Sequence, residues 1–546
     1  MLKQKNKNIN CIINFLKNLL LNLKAEIAVF YWKKETLFLK KMPTSTSTKT
    51  ALFCNLLGKK SGWQTESLLA SALRKVGYKI FVLLPKYNPL AEKIFKSTGE
   101  TEIIYYDKIV RSERKDNLKL EIDKILRNIK SFSALLNLKN KGFRIGKNVS
   151  SLALRRQRVG SLNLSNKKHF EEIKNSLRIS LESIEKSKLL LNEKKPSVVI
   201  FNEKGYSPAG EIFDLCIKKR IKTIQWCGAP QSDCLLLKKY DATNFDSHPH
   251  SLDKKTWQRI QKQPFAKKKE KQVIEQIAEH YKEQTWYNRQ KLQQGKKIYD
   301  KEATLKKLGI SLQKKIAVIF CHILYDATFF YGHSIYSTYE EWLIETVRYA
   351  IKNQNLEWVL KVHPVNVWRS KMDNQPMEQL EITLLKRKFG KLPNHIKVMA
   401  ADTEINTFSL FQSIDYGVTV RGTIGMELPC WGIPVVTAGT GRYNGLGFTL
   451  DPKTAKEYKS ILLNLHNVPK PTINIIKLAR KHAFGVFFMR PFPIKTFSIK
   501  YEKNKVELSR QSIANKKLGN DLEQIARWIK VSRRRDLIFQ KNNSRF

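Results

Sequence analysis

Between Asp415 and Phe448 the chain reads DYGVTVRGTIGMELPCWGIPVVTAGTGRYNGLGF. Its residue types suit the capture of an anion. The β-branched run Tyr416–Val420 predicts a strand, and Arg421-Gly422-Thr423 predicts a turn. Ile424–Trp431 predicts one short helix stopped by Gly432, and Ile433–Thr437 the next buried strand. A strand–turn–helix unit of this kind presents backbone amides to an anion at the carboxyl edge of a parallel sheet. Arg421 adds a fixed cation, Thr423 a hydroxyl, and Glu427 a carboxylate about one helical turn further on. A phosphate followed by sugar hydroxyls would need that order of groups. The loop after the next strand adds Gly439, Thr440 and Gly441, whose amides can wrap an anion, and a second cation, Arg442.

Other strand ends add to this set. Lys361-Val362-His363-Pro364 closes a strand expected over 357–362, and the proline holds His363 in an extended conformation. An imidazole there can donate to a phosphate oxygen or protonate a leaving group. A strand over 316–321 runs into an aromatic loop carrying His322, Asp326 and His333, which reads as a catalytic loop. Asp326 is the first candidate base, with His322 beside it. In the first half of the chain, Gly58-Lys59-Lys60-Ser61-Gly62 and Asn202-Glu203-Lys204-Gly205-Tyr206 occupy equivalent places. Glu203 is the second candidate base. No D-x-D and no G-x-x-x-x-G-K-[ST] occurs, so neither a metal-clamped diphosphate nor a P-loop is supported. His248-Pro249-His250 lacks Cys or carboxylate partners nearby. No metal and no separate cofactor is therefore expected.

The elements that would position these groups alternate as α/β units. ALFCNLL at 51–57, a helix over Thr65–Val76 and a strand over Tyr78–Leu84 open a parallel sheet. Lys115–Leu190 is charged with a helical pattern. The sheet then resumes at Ser197–Phe201, with a helix begun by Ser207 and Pro208 and a strand over Ile221–Trp226. A polar helical connector runs from Leu252 to about Lys301. A second series follows: strand 316–321, helix 338–353, strand 357–362, strand 396–399, helix 402–413, strand 416–420 and strand 433–437. Helices are expected over 453–464 and about 472–484, and partly in the tail from about 505. The expected organisation is an N-terminal amphipathic helix and linker (1–50), then a Rossmann-like domain with a helical insertion (51–300). A second Rossmann-like domain (301–490) and a basic tail (491–546) complete it. The fold class is α/β, two doubly wound domains facing a cleft.

The chain has 546 residues with 100 Lys and Arg against 48 Asp and Glu, a formal charge of +52. Lys, Asn and Ile abound together throughout, so the excess reads chiefly as compositional bias and a solvated lysine surface, with some steering toward anionic ligands. The Lys residues are scattered and no helix-turn-helix, zinc finger or ribonucleoprotein motif is present, so nucleic acid is not the expected partner. Seven cysteines form no C-x-x-C pair and read as free thiols of a reducing cytoplasm. Cys11–Trp32 is too often interrupted by polar residues to span a membrane. Ile12, Ile13, Phe15, Leu16, Leu19, Leu20 and Leu23 nevertheless fall at helical spacing with Lys17 and Lys24 off the stripe. Such a helix can lie in a bilayer interface or pack on its own domain.

KVHP at 361–364 and VRGTIGMELPCWGIPVVTAGTGRY at 420–443 resemble bacterial capsule polysaccharide biosynthesis proteins, glycosyltransferases with two Rossmann-like domains (GT-B type). FNEKGYSPAGEIFDLCIKKRIKTIQWCGAP at 201–230 and FCHILYDATFFYG at 320–332 look like the same group. The His-Pro element with a hydroxyl-bearing glycine turn is also similar to transferases of CMP-activated acidic sugars (Kdo, sialic acids) and to CDP-glycerol phosphotransferases. The resemblance implies His363 and Thr423 at the donor phosphate and Glu427 near the ribose. It implies a cytoplasmic glycosyltransferase, peripheral at the inner face of the membrane, with a nucleotide-sugar donor and a glycan or lipid-linked acceptor. A nucleotide-sugar 2-epimerase and a basic nucleic-acid binder are the alternatives.

Overall fold

The computed structural model describes residues 26–40, 49–110, 115–283, 292–311, 313–326, 329–367, 370 and 376–539. The chain divides into two compact units, one of Met1–Val110, Leu189–Asn202 and Pro493–Arg533, the other of Arg111–Lys188, Glu203–Phe492 and Arg534–Phe546. This differs from the break expected near residue 300. The helical insertion and the segment from Glu203 to 300 cluster with the second sheet, and much of the basic tail clusters with the first.

The first unit carries β1 (Lys49–Cys54), β2 (Tyr78–Leu84), β3 (Glu102–Tyr105) and β4 (Val198–Phe201). They are parallel in the order β4-β1-β2-β3. The helix Lys60–Lys75 joins β1 to β2, and Pro89–Ser97 follows β2. The glycine loop expected at 58–64 is largely absent, because the helix already begins at Lys60. Within the expected N-terminal helix and linker (1–50), residues 26–40 form one helix. The amphipathic stretch before residue 26 lies outside the described residues. The tail adds a hairpin (Phe497–Lys500 with Lys505–Leu508) and the helix Asn520–Val531, which packs on Lys60–Lys75.

The second unit contains the charged stretch after 115, which is helical as expected over Lys115–Asn128, Ile145–Gln157 and most of Lys167–Lys194. It also holds the antiparallel pair β5 (Lys222–Gly228) and β6 (Cys234–Tyr240), the latter not anticipated. Its main sheet is β7 (Lys315–Phe320), β8 (Leu356–Lys361), β9 (Ile396–Met399), β10 (Tyr416–Thr419) and β11 (Val435–Thr437). All are parallel in the order β11-β10-β7-β8-β9. Successive β7 side chains feed opposite cores. Ile316, Val318 and Phe320 join one, and Ala317, Ile319 and Cys321 the other. That two-sided burial is why these strands read as unbroken apolar runs. The helix expected at 402–413 is only a 3-10 turn, Thr407–Gln412, and an unanticipated helix, Leu380–Phe389, precedes β9. Among the described residues no helix is long and apolar enough to cross a membrane.

The chain leaves β7 toward β8 and β9, then returns to β10 and β11 on the other side. The strand order therefore reverses between β7 and β10. In open parallel sheets a ligand crevice opens outside the carboxyl ends of the strands at such a reversal.

Candidate active site

At that reversal the second unit holds a cavity of about 300 Å3. Its walls include Phe320–Ile323 after β7, Lys361, His363 and Pro364 after β8, and Thr419 with Arg421–Ile424 after β10. His248, Tyr281, Tyr331, Tyr339 and Arg442 close it further. Of the expected residues, His322, Asp326, His363, Arg421, Gly422, Thr423 and Arg442 thus share one cavity.

Arg421 is 5% exposed. It donates through Nη1 to the Tyr331 carbonyl at 2.7 Å and through Nη2 to the His333 carbonyl at 3.0 Å and to Ser334 Oγ. Its Nε is buried without a partner, and no carboxylate pairs with it among the described residues. A guanidinium held only by neutral dipoles keeps its full charge in a poorly solvated place, so an anion in the cavity would be strongly favoured. It also staples the loop 331–334 to the end of β10, a duty the sequence did not disclose.

His322 has a different place from the expected catalytic one. The backbone N–H groups of Val420 (3.2 Å) and Arg421 (3.4 Å) point at its Nε2, and Thr419 Oγ1 lies 3.0 Å away. An Nε2 that accepts backbone bonds carries no proton, so the ring's proton sits on Nδ1. Burial, with the charges of Arg421, His363 and Arg442, pushes its pKa well below the usual histidine value. Its ring stacks on Tyr339, with centroids 4.5 Å apart. His322 is therefore a neutral brace for the Arg421 turn.

His363 Nδ1 accepts from the Val365 N–H at 3.2 Å, which puts the proton of the neutral ring on Nε2. Lys361, two residues earlier, was not singled out from the sequence. Its side chain is buried on the cavity wall, and burial, helped by the charge of Lys296, pushes its pKa down to about 7. The missed signal was a lysine as the last residue of an otherwise apolar strand. His248 also escaped as a cavity residue. Its ring meets that of Tyr331 at 4.8 Å, and burial with nearby Arg442 pushes its pKa well below the usual value. Among the described residues no group of three or more metal-ligating side chains occurs.

Three expectations take another form. Glu203 accepts from the Lys204 and Gly205 N–H groups, both at 2.8 Å, and from the Tyr331 hydroxyl at 3.0 Å. It fastens its own turn and is not on the cavity wall. Glu427 lies behind the wall and accepts from the Tyr281 hydroxyl at 2.7 Å. Burial raises its pKa to about 7, so it is a part-protonated strut rather than a ribose-facing carboxylate. Gly439, Thr440 and Gly441 do not wrap an anion. Thr440 N–H donates to the His333 carbonyl (2.8 Å), and its Oγ1 accepts from His333 N–H (2.8 Å). A Cβ at Gly441, where φ is +98°, would fall 2.1 Å from the Tyr331 carbonyl. These glycines permit two loops to touch. Asp326 does reach the cavity, held by the Tyr206 hydroxyl (2.8 Å) and Arg155 (3.3 Å).

The cavity is lined by the cations of Arg421, Arg442 and Lys361 against the single carboxylate of Asp326, with His322 and His248 held neutral beside them. Such a wall favours an anionic ligand. The solved structures similar to this chain include two transferases from Thermosulfurimonas dismutans. Its KpsC β-Kdo 2,4 transferase is 16% identical, covering 59% of this chain and 88% of that one, with a TM-score of 0.31. Its β-Kdo 2,7 transferase is 13% identical, covering 62% and 89%, with a TM-score of 0.32. A glycosyltransferase from Rickettsia africae is 10% identical, covering 89% and 99%, with a TM-score of 0.25. All three are remote likenesses. No curated protein is significantly similar to the chain. The model of the family described as capsule polysaccharide biosynthesis protein matches residues 228–469, from β5 past β11 and so through every cavity residue. Over that stretch, and as its motifs led us to expect, the chain is similar to capsule polysaccharide biosynthesis proteins.

Proposed function

We propose that the cavity between β7 and β10 holds the phosphate of a nucleotide-sugar donor, and that the chain transfers that sugar to a glycan or lipid-linked acceptor. The observation that carries this reading is the buried, uncompensated Arg421 guanidinium at the reversal of a parallel sheet, with Lys361, His363 and Arg442 around the same space. An acceptor hydroxyl attacks the anomeric carbon, and the bond from that carbon to the phosphate oxygen breaks. The electron pair leaves with the phosphate, where Arg421, Arg442 and Lys361 stabilise the growing charge. His363, with its proton on Nε2, donates to a phosphate oxygen. Asp326 is the carboxylate on the wall that can take the acceptor's proton. This charge stabilisation uses side chains alone, so transfer is expected to survive a chelator.

A calorimetric screen of CMP, CDP, UDP and GDP and their sugars tests the reading, followed by product analysis with and without acceptor. Micromolar binding of one nucleotide series and acceptor-dependent sugar transfer are expected. Formation of an epimer from the donor alone would replace transfer with epimerisation. Salt-sensitive DNA binding without nucleotide binding would overturn the reading altogether.

Lys361 adds a pH signature. With its pKa at about 7, its cationic form is present below that value and is lost as pH rises through it. Donor affinity should therefore fall as pH rises through 7, in isothermal titrations at matched ionic strength. Lys361→Met should weaken binding about tenfold at pH below 7 and flatten the profile, as expected for one charge-assisted contact. Glu427 titrates in the same range and gains negative charge as pH rises. A profile flattened by Glu427→Gln instead would move the effect to that residue.

A further inference from the structure

The helix over 26–40 in the first unit has two apolar faces. Val29, Trp32, Thr36 and Leu39 are buried against its own unit. On the opposite side Ile27, Phe30, Tyr31 and Leu37 are exposed, Phe30 at 65% and Tyr31 at 59%. The spacing 27, 30, 31 and 37 is one stripe of a helix. Exposed Lys33, Lys34 and Lys40 flank or interrupt it. Beside the stripe lies a cavity of about 440 Å3 lined by Lys33, Leu37, Lys40, Tyr87, Lys93 and Lys96, among others. Lys93 pairs with Glu26 and Lys96 with Glu92. Lys33 and Lys40 make no ion pair among the described residues.

We infer that this face docks on an anionic membrane surface, the apolar stripe entering the interface and the lysine-lined cavity receiving acidic lipid headgroups. Three observations select that occupant. Aromatic rings next to aliphatic side chains on an exposed helix face suit the boundary between headgroups and acyl chains. Lys33, Lys34, Lys40, Lys93 and Lys96 outnumber the carboxylates Glu26, Glu35 and Glu92 around the stripe and cavity; Glu26 is paired with Lys93, and Glu92, the one carboxylate lining the cavity, is already bonded to Lys96 and to the Tyr105 hydroxyl. Long lysine stems can lie along an apolar surface while their ammonium groups reach phosphate. The inference does not depend on the sugar-nucleotide cavity, which belongs to the other unit.

The test is co-sedimentation of the full chain with vesicles of phosphatidylcholine alone or doped with phosphatidylglycerol. Salt-sensitive binding to the doped vesicles is expected, with little to phosphatidylcholine alone. Lys33→Gln and Lys40→Gln should each weaken it by about fivefold. Phe30→Glu with Leu37→Glu should abolish it without altering the melting temperature, since both positions are exposed, and without altering turnover on soluble substrates. Equal binding to both vesicles, no binding, or binding retained by the double variant would each overturn the inference. So would a wild-type dimer that the double variant converts to monomer with no vesicle binding, since a second copy would then be the occupant.

Discussion

Replacing Arg421 with alanine should lower kcat/KM by about a hundredfold to a thousandfold, the usual cost of removing a group that stabilises developing negative charge. Two effects combine. The cavity loses its buried cation, and the carbonyls of Tyr331 and His333 lose the donors that hold their loop. Arg421→Lys separates them. A lysine restores the charge but cannot reach three acceptors in a fixed fork. It should recover part of the donor affinity while the loop 331–334 stays more open to proteolysis than in the parent. Calorimetric Kd values, steady-state kinetics and limited proteolysis of the three proteins check this. If Arg421→Ala binds the donor as well as the parent and turns over at the same rate, the residue is a loop staple alone and the phosphate lies elsewhere.

The largest stability loss should come from Asp536, far along the chain from the cavity residues. It is fully buried, is ion-paired with Lys238 Nζ at 2.9 Å, accepts from the Asp253 N–H at 2.6 Å, and faces Arg490 at 3.7 Å. Arg490 itself donates to the carbonyls of Leu237, Leu537 and Pro249. Lys239 N–H donates to the Arg535 carbonyl and Leu537 N–H to that of Leu237, so this strap lies along β6. Asp536→Ala would leave two buried cations without their carboxylate, a change that costs about 3–5 kcal/mol. The melting temperature should fall by about 10 °C. Asp536→Asn should fall between parent and alanine, since it keeps an acceptor for the Asp253 amide. Lys238 and Arg490 hold the Asp536 carboxyl below the usual aspartate range. A depressed folded value contributes stability above the unfolded value and loses it as pH falls through the folded one, so the strap should fail only in strong acid. A melting temperature unchanged in Asp536→Ala would show that the strap is not part of the cooperative fold.

Much of the second sheet could be read in advance because its strands are buried on both faces and carry continuous β-branched runs. The Arg421 turn was legible for the same reason. A strand, a glycine turn and a short helix in sequence leave few choices about which end faces a ligand. The glycines at 439 and 441 misled because glycine serves both anion wrapping and close backbone approach, and only the neighbouring loop decides between them. His322 misled because a histidine at a strand end looks the same in sequence whether its Nε2 meets a substrate or the amide of Val420. Lys361 was missed because it looks like the solvated end of a strand until the neighbouring walls bury it. Tyr281 and His248 come from distant parts of the chain and reach the cavity by tertiary packing alone, which no local pattern announces.

The clasp on Arg421 has a bearing on how such a protein could diversify. Two of the three groups that hold the guanidinium are main-chain carbonyls, of Tyr331 and His333, which are present whatever side chains those positions carry. The cation is thus secured by the path of the loop and barely by its composition. Substitutions at Tyr331, whose side chain lines the cavity, can reshape the ligand's surroundings while the charge that anchors it stays in place. A catalytic constant and a variable rim would then reside in the same few residues, and a new sugar preference could arise without rebuilding the anchor.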